Sequence, residues 1–281
     1  MSKSQLYDPI KILQGSNKPL VEDAVLITNG QIRAFGEQAR HQARALGIKS
    51  KSCPELLLAP CLVDPHSILE EPVNSSCETL ITLRRKAAHA GYGQVALLPR
   101  GKSWRDQADR LRGFGNSNSD VLVHLWGSFS KEGNGEELSP HAELLQYGAI
   151  GLAEGDAMPP IKLLMRGLTL GEMRNYPVLL APRDELIQEA GVVRESVQTL
   201  QAGWQPDPLA SEIIPLRQLL ELHSQYPNIS MRIMNISTAE GVAMLQGRET
   251  KALASVSWWH LFKDSSCLTN NELGWRVVPS L

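Results

Sequence analysis

The chain lacks the features that would tie it to nucleic acid, to a membrane or to an oxidising compartment. Its formal net charge is only -2, so there is no basic excess of the kind that neutralises phosphate backbones or anionic lipid. The four cysteines (Cys53, Cys61, Cys77 and Cys267) are scattered and form no C-x-x-C pair. They read as reduced thiols of a cytoplasmic protein, not as a disulfide framework. No stretch approaches the roughly 18 uncharged apolar residues that a spanning helix needs. The opening Met1-Ser2-Lys3-Ser4-Gln5 lacks the apolar core of a signal peptide. Neither G-x-G-x-x-G nor a P-loop occurs, so nucleotide binding has no support. What is present is ordinary for a globular protein: 281 residues, 42% hydrophobic and 21% charged. That length suffices for a (β/α) barrel folded as one domain.

A β-rich lead precedes a repeating unit. Residues 21–35 alternate apolar and polar on either side of Asn29-Gly30, the dipeptide that suits a tight hairpin turn. Beyond it, β-rich and helical patterns alternate. Strands are expected over residues 56–64, 94–98, 121–126, 149–153, 176–180, 229–236 and 252–257. Helices are expected over 77–90, 104–114, 136–146, 161–175, 209–226 and 238–246. Repeated βα units imply parallel pairing with right-handed crossovers. The reading is an α/β chain with a small β-rich segment over 1–55 and a barrel domain over 56–281. Periodicity alone leaves an open doubly wound sheet as the alternative closure.

In such a barrel the chemistry sits where strands end. The first strand runs into Asp64-Pro65-His66-Ser67-Ile68-Leu69-Glu70-Glu71-Pro72. This stretch resembles the opening of the dihydroorotase family, an apolar L-P-G-L-V-D followed by x-H-x-H-L-R-E-P. In that family the two histidines bind a catalytic metal. Alternate strand residues face the same side, so both family positions aim at one ion; here they hold His66 and Ile68. The resemblance continues in register through the later strand ends. The substrate-gripping arginine becomes Glu70, the asparagine of M-P-N-T becomes Arg100, and the acids of F-x-D-D-G appear shifted as Glu154 and Asp156. H-x-E-D becomes Ala181-Pro182-Arg183-Asp184, and the second histidine, in H-I-C-H-L-S-T, becomes Asn235, within the matching Ile236-Ser237-Thr238 frame. E-V-T-P-H-H-L becomes Ser255-Val256-Ser257-Trp258-Trp259-His260-Leu261. The resemblance further implies an eighth strand with a catalytic aspartate. This chain offers about seven strands, so an incomplete barrel of amidohydrolase type is expected.

Each substitution has a chemical consequence. A hydrolytic zinc takes about three protein ligands and leaves a place for water, and of the family's ligands only His66 remains. The expectation is therefore a non-catalytic dihydroorotase-like protein with no cofactor. The resemblance implies a scaffold or regulatory role beside aspartate carbamoyltransferase, or a self-partner covering an open barrel edge. Two alternatives stand beside it. One is an active cyclic amidohydrolase with zinc and a site rebuilt from His66, Glu154 or Asp156, Asp184 and His260. The other is a fragment, the product of a shortened gene or the front part of a split one. Plainer roles are also open to these residues. His66 can bond Asp64 or a loop amide, and His260 can pack under a loop. Glu154 and Asp156 can cap or solvate the loop before residue 161. Arg183 can pair with Asp184 or bind an anion at the pocket, and Ser237-Thr238 can cap a helix. Met231, Met234 and Met244 suit core filling. No serine has an evident histidine partner in sequence, although a triad is set by geometry.

Overall fold

The computed structural model describes residues 3–70, 78–112, 114, 120–173, 175–246, 252–269 and 274–281. The chain divides into two compact units, Met1–Leu62 and Val63–Leu281. In the first, β1 (Ser4–Ile12), β2 (Val21–Thr28), β3 (Gln31–Phe35), α1 (Gly36–Ala45) and β4 (Ser50–Leu58) follow in order. The sheet order is β3-β2-β1-β4, with β1 antiparallel to β2 and parallel to β4. Asn29 and Gly30 both have positive φ, 53° and 76°, the two left-handed positions of the expected hairpin turn. Ala39 and Ala43 of α1 pack on Leu6, Ala24, Leu26 and Ala34. The small side chains let the helix lie close to the sheet. Arg40, on the same helix, pairs with Asp8 at 2.8 Å and Asp23 at 3.0 Å.

The second unit is α/β. Its elements are β5 (Leu62–Ser67), α2 (Leu80–His89), β6 (Tyr92–Leu97), β7 (Leu122–Leu125), β8 (Gly127–Ser128), α3 (His141–Gln146), β9 (Leu152–Ala153), α4 (Ile161–Leu170), β10 (Val178–Leu180), α5 (Glu185–Gln188), β11 (Val193–Arg194), α6 (Val197–Gln201), β12 (Pro206–Asp207), α7 (Ala210–Gln225), β13 (Met231–Ile233), α8 (Ala239–Gln246), β14 (Leu253–Ala254) and α9 (Trp258–Phe262). One sheet runs β5-β6-β7 and another β14-β13-β10-β9-β8. β7 and β8 are halves of one segment parted at Trp126. The Trp126 amide still donates to the Leu97 carbonyl at 3.0 Å, and the Gly127 amide to that of Gly151 at 3.0 Å.

Period-two alternation sorts the side chains of these strands into two cores. Val95, Leu97, Val123, Leu125, Leu152, Val178, Leu180 and Met231 meet the helical residues Leu144, Leu164, Leu168, Leu219 and Leu222. Ala96, Leu98, Trp126, Ala153, Leu179, Ala181 and Met234 form the other cluster. Trp126 is 2% exposed, and its indole N–H reaches the Pro65 carbonyl on β5 at 2.8 Å. The ring thus fills the space while its polar edge stays paired.

Several expected elements differ in extent, each for a local reason. The strand expected over 56–64 is two strands, broken at Ala59-Pro60-Cys61. The boundary expected after residue 55 falls inside β4, and the units divide after Leu62. Over 104–114 only a 3₁₀ turn, Ala108–Leu111, forms among the described residues. The Arg105 amide is held by the Pro99 carbonyl, and its own carbonyl accepts from Ser128, which leaves no helical ladder to join. α3 starts only after Pro140, because Leu138 is bridged to Ser130. α4 stops at Gly171, which takes the left-handed position (φ 70°) that ends a helix. Position 77, where the first helix was expected to begin, lies outside the described residues. No described helix is long and apolar enough to cross a membrane.

Candidate functional site

The strand ends gather most of the anticipated residues into two clusters. The first joins β5, β13 and β14. His66, on β5, places Nε2 2.7 Å from Ser255 Oγ, just beyond β14. The same hydroxyl accepts the Asn235 amide at 3.2 Å. Asn235 Oδ1 accepts from Ser257 Oγ at 2.9 Å. Asn235 sits at φ 59°, a left-handed conformation that asparagine tolerates better than most residues. The His66 backbone amide bonds Asp64 Oδ1 at 3.1 Å, while its imidazole belongs to Ser255. Burial holds the imidazole pKa below its ordinary value, opposed by the charge of Asp64. Two of the positions aligned with the family's histidines, His66 and Asn235, are therefore linked through one serine hydroxyl.

The second cluster lies at the ends of β6, β8, β9 and β10. Glu154 is 3% exposed. Its Oε1 accepts from Ser130 Oγ at 2.9 Å, and Oε2 has no hydrogen-bond partner among the described residues. Burial pushes its pKa up from 4.5 to about 7, against the hydrogen bonds that favour the carboxylate. The structure thus buries Glu154, where solvation of the loop was one of the sequence readings. Asp156 pairs with Arg100, and Arg100 also reaches exposed Glu70 at 3.8 Å. The pairing expected between Arg183 and Asp184 is absent from the ion pairs of the described residues. Arg183 instead meets Glu185 at 3.4 Å. Asp184 caps α5, accepting the Leu186 and Ile187 amides at 2.9 and 3.2 Å, a task its short carboxylate performs for orphan helix donors.

His260 joins neither cluster. Its Nε2 lies 3.2 Å from the Ser280 carbonyl, and desolvation lowers its pKa. Pro279 lines a small cavity of about 10 Å³ together with Asp156, Arg183, Arg194 and Asn235, so the C-terminal tail fills space near the old strand ends. Thr238 Oγ1 accepts the Gly241 amide at 3.0 Å, as capping requires. Met231 and Met234 are buried in the core.

Sequence reasoning missed three parts of this arrangement. Ser255 was visible only as a replacement within a motif. Ser130, which bonds Glu154, and Trp104, whose ring lies against Gly155, sit in loops with no motif. Glu212, on α7, accepts the amides and hydroxyls of Ser237 and Thr238 at 2.5 to 3.1 Å and lies 4.0 Å from Arg194. Only the three-dimensional fold brings these residues together.

The resemblance implies a catalytic metal, and the donors here do not fit one. His66 is accompanied by Ser255, Asn235 and Ser257, which bond one another. No group of three or more His, Cys, Asp or Glu suited to a metal occurs among the described residues. A catalytic zinc needs about three such ligands.

No protein-family model matches the chain. Among curated proteins, it is 32% identical over 242 residues to a probable dihydroorotase-like protein of Synechocystis, covering 76% of this chain and 55% of that protein. It is 26% identical to the dihydroorotase of Elusimicrobium minutum, covering 79% and 51% of the two chains. With the dihydroorotase of Pelotomaculum thermopropionicum it shares 24% identity, covering 92% and 61%. The chain thus spans about half to three fifths of the length of these relatives. Among solved structures, the L-hydantoinase of Arthrobacter aurescens aligns with a TM-score of 0.64 at 14% identity, covering 89% of this chain and 57% of that one. The zinc-bound N-acyl-D-glutamate deacylase of Bordetella bronchiseptica aligns with a TM-score of 0.51 at 13% identity, covering 89% and 57%. These structures share the α/β fold, and the curated relatives identify the chain as a member of the dihydroorotase family.

Proposed function

We propose that this chain is a non-catalytic dihydroorotase-like protein related to pyrimidine biosynthesis, acting as a scaffold or regulatory partner of aspartate carbamoyltransferase. The observation that carries the reading is the Ser255 link between His66 and Asn235. The His66 imidazole is engaged by the Ser255 hydroxyl and the Asn235 carboxamide by Ser257, which leaves neither side chain free for a metal. Without a metal to lower the pKa of water from roughly 16 toward 7, ring-amide hydrolysis loses its nucleophile. The rebuilt-site alternative gains little support. Asp184 is engaged at a helix end, and His260 is bonded to a tail carbonyl.

We also propose that the barrel is incomplete, with about seven strands, and that the His66–Ser255 bond draws its first and last strands together at the rim. This supports closure within one chain over a split-protein reading, in which another polypeptide pairs with the edges of β5 and β14.

Purified protein should carry under about a tenth of an equivalent of zinc and should not turn over dihydroorotate. It should co-elute with aspartate carbamoyltransferase in size-exclusion chromatography. Stoichiometric zinc with turnover would end the non-catalytic reading, and separate peaks at high concentration would end the partnership.

A further inference from the structure

Past β14 the chain divides its side chains between two faces. Ser255 and Ser257 turn to the rim, where they meet His66 and Asn235. Val256 and Trp258 are exposed instead, and the exposed face continues onto α9. There Trp258 is 62%, Leu261 77% and Phe262 67% exposed. Aromatic side chains carry roughly 150–250 Å² each, so these three residues leave roughly 400 Å² of apolar surface in water. A patch of that size on a soluble protein marks a contact site.

The face is fixed in shape before anything meets it. The Trp258 ring centroid lies 6.4 Å from those of Phe262 and Trp275, and Phe262 lies 6.2 Å from Trp275. The Lys263 ammonium sits 5.3 Å from the Phe262 ring and 5.8 Å from that of Trp275, a cation held on aromatic rings. Rings braced in this way lose little freedom on association, and rigid tryptophan anchors carry much of the energy of an interface.

Area and charge both point to a second copy of this chain as the occupant. Two such faces in contact bury roughly 800 Å² of apolar surface, about the apolar share of a 1,200 Å² interface, the lower end for stable pairs. Charges of both signs stand side by side next to the rings, at Lys263 and exposed Asp264. A face with that pattern can be complementary to itself, because a two-fold rotation can set the lysine of one copy against the aspartate of the other. We propose that the α9 face joins two copies of this chain about a two-fold axis, with Trp258, Leu261 and Phe262 at its centre. The pairing needs only this chain, so it stands or falls independently of any partnership with aspartate carbamoyltransferase.

Sedimentation equilibrium of the purified full chain alone tests this. Twice the monomer mass is expected at 100 μM, with dissociation on dilution. Leu261→Asp places a charge at the centre of the face and should weaken the dimer at least tenfold while thermal unfolding stays cooperative. Lys263→Glu sets like charges against Asp264 and should weaken it at least threefold. The proposal is overturned if the parent is a monomer at 100 μM, or if either variant, still folded, dimerises as the parent does. It is also overturned if the parent stays monomeric and Leu261→Asp instead abolishes co-elution with aspartate carbamoyltransferase, which would assign the face to that enzyme. The mass of the parent needs no variant, so it decides the matter even should a substitution disturb folding.

Discussion

Glu154 couples burial to proton binding more directly than any other residue of the site. Its folded-state pKa, about 7 against an ordinary 4.5, is raised by burial. Between those values the folded protein holds a proton that the unfolded chain has released. Stability from this group is therefore intact below pH 4.5 and declines as pH rises toward 7. The full shift corresponds to roughly 3 kcal/mol. Glu154→Gln can keep a carbonyl toward Ser130 and cannot ionise. Urea unfolding from pH 5 to 8 should show the parent losing a few kcal/mol that the variant retains; parallel curves would remove Glu154 as the cause. Ser255 carries a second residue-scale expectation. Its hydroxyl serves both His66 and the Asn235 amide, so Ser255→Ala leaves two groups to find other partners. A loss of about 1–3 kcal/mol in urea unfolding is expected, and an unchanged midpoint would mean that water replaces the hydroxyl at no cost.

Among the elements, α2 shows how a local pattern sets a helix end. Thr79 Oγ1 accepts the Thr82 amide at 3.3 Å, and Thr82 Oγ1 accepts the Thr79 amide at 2.8 Å. This reciprocal box satisfies two donors that a bare helix start leaves open. Thr79→Ala should cost about 1 kcal/mol by chemical unfolding, and Thr79→Ser should recover most of it. The element pattern was readable in sequence wherever local chemistry and tertiary packing agree. Asn29-Gly30 turns as its dihedral preference requires, whereas the helix expected over 161–175 ends early at Gly171. Reading failed where long-range bonds overrule periodicity. The run over 104–114 has helical spacing, yet Arg105 is tied at both amide and carbonyl to distant strand ends. The apolar run over 56–64 spans a Pro-containing break that hydrophobicity alone does not reveal.

At the scale of the molecule, the order of βα units was legible because each strand and helix repeats its own period. The altered ligand positions were legible because residue type alone decides whether a side chain can bind metal: Ile68 and Ala181 cannot. The partner that His66 takes was not legible. The hydrogen bond from His66 to Ser255 joins residues 189 apart in sequence, and no spacing rule reaches that far. That bond links the strand that opens the parallel series to the segment leaving its last strand, so it should act on the whole fold. A double-mutant cycle separates this role from local packing. His66→Ala and Ser255→Ala each remove the contact, and the pair removes it once. If the contact helps hold the rim closed, the two single losses should exceed the double loss by about 1 kcal/mol in urea unfolding, and the variants should stay monomeric where the parent is. Additive losses would show that the two groups act separately. Closure would then rest on the apolar interior around Trp126 and Met234, where no polar substitution at the rim could disturb it.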